Sequence, residues 1–155
     1  MLYQVVLYLH SWLRWGVVLL GALTLARAVH GWARGREWNQ ADRRVQLLFV
    51  AVLDSQVLLG LTLYFALSPL TPKSLDAFRE AMSNSMLRFY AIEHAFAMVP
   101  ALLVAHGASV ASRRAEGSTA RHRRWGVGLL IALLLILVGI PWPVLPYGRP
   151  LLRTF

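Results

Sequence analysis

His10 and His94 are the residues of this chain best suited to chemistry. Each lies inside a long apolar stretch, LYQVVLYLHSWLRWGVVLL and LRFYAIEHAFAMVPALLV, where an ionisable group is costly and marks a function or a specific partner. At about 1.5 Å of rise per residue, both count to roughly 10–12 Å below the same end of their segments. Two neutral imidazoles at one depth on facing helices can supply both axial nitrogens of a six-coordinate haem b. Gly60 counts to a similar depth and would leave room for a porphyrin edge; Arg88, about a turn above His94, would pair with a propionate. The plainer reading is that each histidine hydrogen-bonds to a neighbouring helix.

Other polar residues fall within apolar stretches. Arg14 follows His10 by one turn on the same face, near the bilayer middle. Asp54 counts to the middle from the other side, so a buried Arg14–Asp54 pair, joined by Gln56, is expected as a structural network. Glu93 points about 100° away from His94 and could accept a proton from a quinol, or bond to Arg88 or to a partner subunit. A second haem would draw on His30, His106 and His122, but His94 and His106 fall about 120° apart round their helix and cannot serve one stack. His122, within ARHRR, reads as interfacial, and Met98 as core packing. Pro100 is expected to kink its helix just inside His94.

Four elements must position these groups. Hydrophobic residues make up 57% of the 155 and charged ones only 15%, which is not the balance of a soluble domain. Segments at about 2–30, 45–67, 86–109 and 125–140 each approach or exceed the length of about 20 residues that spans a bilayer. None alternates with period two, so strands are not expected. The net charge of +9 is clustered between the spans, which speaks of membrane topology rather than nucleic acid. Arg27, Arg34, Arg36, Arg43 and Arg44 follow the first span; Arg113, Arg114, Arg121, Arg123 and Arg124 precede the fourth. The middle connection, SPLTPKSLDAFREAMSNS, balances Lys73 and Arg79 with Asp76 and Glu80, and the tail has Arg149 and Arg153. The expectation is an all-α, single-domain, four-transmembrane-helix up-down bundle with both termini outside a bacterial inner membrane and the arginine-rich loops in the cytoplasm. The stretch from Ser74 to Met82 could lie on the outer surface as an amphipathic helix, and Trp32, Trp38, Trp125 and Trp142 fit interfacial belts. The chain has no cysteine, which removes disulfides, thiolate chemistry and iron–sulfur ligation.

The segments LYLHSWLRW, LRFYAIEH, RHRR and GIPWP together resemble a family of small bacterial four-helix membrane proteins loosely labelled cytochrome b-like. The resemblance runs from His10 to Pro143, and the matching positions are His10, Arg14, Glu93, His94 and His122. That family's pattern has a proline after the third-helix Glu-His, where this chain has Ala95. The resemblance adds weight to haem and little to mechanism.

Three functions compete. The leading one is electron transfer by one non-covalent haem b between His10 and His94, exchanging electrons with a quinol or a larger respiratory or photosynthetic complex. The second is a cofactor-free accessory or assembly subunit of a larger membrane complex. The third is a small carrier or channel, which would need a homo-oligomer to form a pathway. No nucleophile–base arrangement, phosphate loop or HExxH site suggests an enzyme.

Overall fold

The structure, a computed structural model, describes residues 1–152; Arg153, counted above in the tail, lies outside the described residues. It is a helical protein with no strand among the described residues. Four helices are long and apolar enough to cross a membrane: α1 (Leu2–Ala33), α2 (Gln40–Leu67), α4 (Ser85–Arg113) and α5 (Ser118–Gly139). A short helix, α3 (Leu75–Ser83), fills the connection between α2 and α4. Its Leu75 and Phe78 are exposed, as suits an amphipathic helix lying against an apolar surface.

The helices outrun the apolar stretches at their arginine-rich ends, because backbone hydrogen bonding continues where the side chains turn basic. Thus α5 begins at Ser118 and carries RHRR within it. Local chemistry sets the remaining ends. Gly35 takes a left-handed φ of +61° just past α1. Asn39 and Asp42 form a capping box at the start of α2, and the Asn84 side chain caps α4 by accepting from the Met86 and Leu87 amides. Ile140, restricted by Pro141 to extended backbone, ends α5 at ψ 129°.

Each long helix packs on two neighbours: α1 on α2 and α5, α4 on α5 and α2. Consequently α1 and α4 stand across the bundle from each other. The α4–α5 seam is close because small residues line it. A methyl group on Gly128 would collide with Ala108, and one on Gly139 with Met98. The core is Phe49, Leu53, Ala101, Ala105, Trp125 and Leu129, with their neighbours. Trp125, expected in an interfacial belt, is instead 1% exposed, and its Nε1 donates to Thr24 Oγ1 at 3.3 Å. Trp32 is exposed, as a belt residue should be.

Two features are absent from the sequence reading. The end of α2, Leu63–Leu67, and the stretch Phe89–Glu93 of α4 are π-helical, with wider turns than the rest. Pro100 lies inside the α-helical stretch from His94 to Arg113, and the π-helical turn of α4 falls before His94.

Candidate functional site: a cavity between His10 and His94

The two histidines face one another across the bundle. Their ring centroids are 6.3 Å apart and the ring planes meet at 71°. Both line a cavity of about 420 Å³ built from α1, α2, α4, the end of α5 and the tail, a volume within the range of small-molecule sites. The two π-helical turns border this cavity. Tyr64 in one donates its hydroxyl to the Ala91 carbonyl in the other at 2.8 Å.

Each imidazole is held by a different device. His94 Nδ1 is 2.7 Å from the carbonyl of Gly139 on α5. A carbonyl can only accept, so Nδ1 carries the proton and Nε2 keeps a lone pair. An outer bond of this kind orients metal-ligating histidines. Gln56 Nε2 donates to the His10 carbonyl at 3.0 Å and sits 3.4 Å from His10 Nε2. His10 Nδ1 is buried with no hydrogen-bond partner. Gly60 lies against this ring: a methyl group there would come within 3.1 Å of His10 Cε1.

Several sequence expectations are corrected. The Arg14–Asp54 pair does not form. Asp54 turns outward and is bonded to His106 Nε2 at 2.7 Å, while an Arg14 Nη donates to the Leu151 carbonyl at 2.6 Å. Depth placed Arg14 and Asp54 together, but their rotation about the helix axes separates them. Gln56 consequently joins His10 rather than Asp54. Arg88 does not line the cavity; it is exposed and donates from Nε to Glu93 Oε1 at 2.9 Å. The π-helical turn brings these two residues together, five apart in sequence, and takes Glu93 away from the cavity with Arg88. His122 is not interfacial but fully buried, tilted against Trp38 at 4.8 Å and lying over Gly31, where no side chain could fit. His30 is exposed and His106 is engaged with Asp54, so the three histidines do not assemble a second pair. Met98 packs against the core and touches the cavity.

The tail supplies what sequence reasoning missed. After the Pro141-Trp142-Pro143 stop, the chain turns back over the cavity. Tyr147 stacks on Phe89 at 3.9 Å, and Arg149 donates from Nε to the Tyr90 hydroxyl at 3.2 Å. Trp15 Nε1 donates to the Leu151 carbonyl at 2.9 Å. Among the described residues, Arg149 and Arg14 are the two arginines that line the cavity. Four prolines between 141 and 150 signalled turns, though not where the turns would lead.

At the opposite end, Asp42 ties α1 to α2. Its Oδ1 accepts from Arg27 Nη2 at 2.8 Å and from Arg36 Nη2 at 2.7 Å. The hydrogen bond to this carboxylate holds Arg36 above the ordinary arginine pKa. Among the described residues no group of three or more His, Cys, Asp or Glu converges on a metal site. No protein-family model matches the chain, and neither a curated protein nor a solved structure matches it significantly.

Proposed function

We propose that the protein is a membrane electron-transfer protein or subunit that holds one b-type haem between His10 and His94. The observation that carries this reading is the 6.3 Å separation of the two rings inside a cavity. With a metal–nitrogen bond of about 2 Å and roughly 1 Å more to each ring centre, two imidazoles on opposite sides of one metal have centroids about 6 Å apart. The residues present fit the group in three further respects. His94 Nε2 has its lone pair available because Nδ1 is committed to Gly139. His10 Nδ1 is buried and unsatisfied by the protein. Arg149, at the cavity wall, can take the carboxylate role first expected of Arg88.

Bound haem would supply a one-electron couple. The chain's own contribution would be binding, orientation and exclusion of water. Gly139 fixes the His94 tautomer, Gly60 lies against the His10 ring, and the tail covers the cavity. The partner would be a quinol or a larger membrane complex. In this reading the helices alternate up and down in a bacterial inner membrane, with the arginine-rich connections cytoplasmic and the histidine end outside.

The accessory-subunit reading has one observation in its favour: the His94 ring bonds to Gly139 on α5, and the Gln56 amide of α2 meets both the carbonyl and the ring of His10. A dithionite-reduced minus oxidised spectrum of the detergent-purified protein separates the two. The expected result is a b-type α-band at about one haem per chain, lost or strongly perturbed in His10→Ala and in His94→Ala. Haem-free protein recovered with its native membrane partners would overturn the cytochrome reading.

A further inference from the structure

At the arginine-rich end of α1, two guanidinium groups share one carboxylate. Arg27 donates to Asp42 from Nε and Nη2, and Arg36 from Nη1 and Nη2. The Asn39 amide donates to the same carboxylate. One negative charge therefore faces two positive ones, and the exposed neighbours Arg34 and Glu37 cancel each other. Each nitrogen of a guanidinium is a donor. Among the described residues, Arg27 Nη1 and Arg36 Nε have no acceptor. The cluster thus keeps a net positive charge and spare donors, on side chains that are 36% and 29% exposed.

These two arginines border an open groove of about 360 Å³, whose other walls are Leu23, Ala26 and His30. Leu23, Arg27 and His30 follow one another at helical spacing along one face of α1. Away from the arginines that face continues to Leu19, which is exposed like Leu23. The groove is apolar along its length and basic at one end. Its basic end falls in the last two turns of α1, beside the exposed Trp32, at the depth where headgroups meet hydrocarbon.

We propose that this groove seats an anionic phospholipid, with its phosphodiester on Arg27, Arg36 and His30 and an acyl chain along Leu23 and Leu19. Basic pockets at the ends of membrane helices hold lipid headgroups by this combination of charge and depth. A soluble anion would use the basic end alone and leave the apolar face unfilled. A zwitterionic lipid would bring its own positive charge to a site that already has an excess. The proposal stands whether or not the cavity between His10 and His94 holds haem.

Titration of the detergent-purified chain with phosphatidylglycerol, read by native mass spectrometry, tests it. Phosphatidylglycerol should bind more tightly than phosphatidylcholine of the same chain length. Arg36→Gln should weaken it roughly tenfold or more, the effect of losing a charge-assisted bond. That variant also takes a partner from Asp42, so Ala26→Phe provides a second one. It keeps every charge, fills the groove from an exposed position, and should weaken binding as well. Arg113→Gln, exposed at the same end of α4 and across the bundle from α1, should leave the affinity unchanged. Inorganic phosphate should not displace the lipid. The idea fails if phosphatidylcholine binds equally, if either groove variant binds like the unaltered chain, or if Arg113→Gln weakens binding as much as Arg36→Gln. Displacement by inorganic phosphate would also overturn it and make the groove a site for soluble anions.

Discussion

At the residue scale, the cavity separates two arginines that look alike in sequence. Arg149 lines the cavity and Arg88 is paired with Glu93 outside it. If a haem carboxylate is bound, Arg149→Gln should remove a charge-assisted bond of about 1.5–3 kcal/mol, weakening haem retention roughly tenfold or more. Arg88→Gln should leave it unchanged. Haem-to-protein ratio through successive detergent washes reads the difference; equal loss in both variants would remove Arg149 from this role. The histidines were legible from the sequence because polarity at a given depth is visible in a string of residues. Arg149 was not, because its position depends on a proline-rich tail whose path no periodicity describes. The Arg14–Asp54 pairing failed for a related reason: counting fixes height along a helix, and a rotation of a residue or two decides which neighbour is met.

At the element scale, Asp42 does two jobs. It completes the capping box of α2 and accepts from Arg27 and Arg36, joining the end of α1 and the following loop to α2. Asp42→Asn would keep a polar side chain near the cap and lose both charged partners. Since the two guanidinium groups are about a third exposed and can turn to water, the expected cost is about 1–2 kcal/mol. A thermal melt in detergent measures it, and an unchanged midpoint would show that the cluster adds nothing to stability. The spans themselves were readable because a bilayer demands a long apolar run, and hydropathy reports that directly. The π-helical turns were invisible, since no residue type specifies a wide turn. The Arg88–Glu93 spacing of five residues is the one hint the sequence offers.

For the whole molecule, the distribution of arginines and the clustering of termini around one cavity make a joint prediction. With cysteines introduced singly at Arg36 and at Glu116, a membrane-impermeant thiol reagent should label neither from outside intact spheroplasts and both after lysis. A cysteine at Asp76 should be labelled from outside at once. Labelling of position 36 or 116 in intact cells would reverse the proposed sidedness and move the histidine cavity to the cytoplasmic surface. This matters for the electron-transfer reading, because the side on which the cavity opens limits which soluble or membrane partners can reach it.

The wide turn at Phe89–Glu93 also bears on how such a site could vary. It amounts to one additional residue accommodated within a continuous helix. The segment before it carries Arg88, the segment after it carries His94 and packs on α5, and the wider turn lets both keep their places. A one-residue deletion here should restore an ordinary α-helical turn and leave both segments where they stand. The extra residue thus governs the local placement of Phe89–Glu93, and with it the cavity-lining Tyr90, while the histidine floor stays constant.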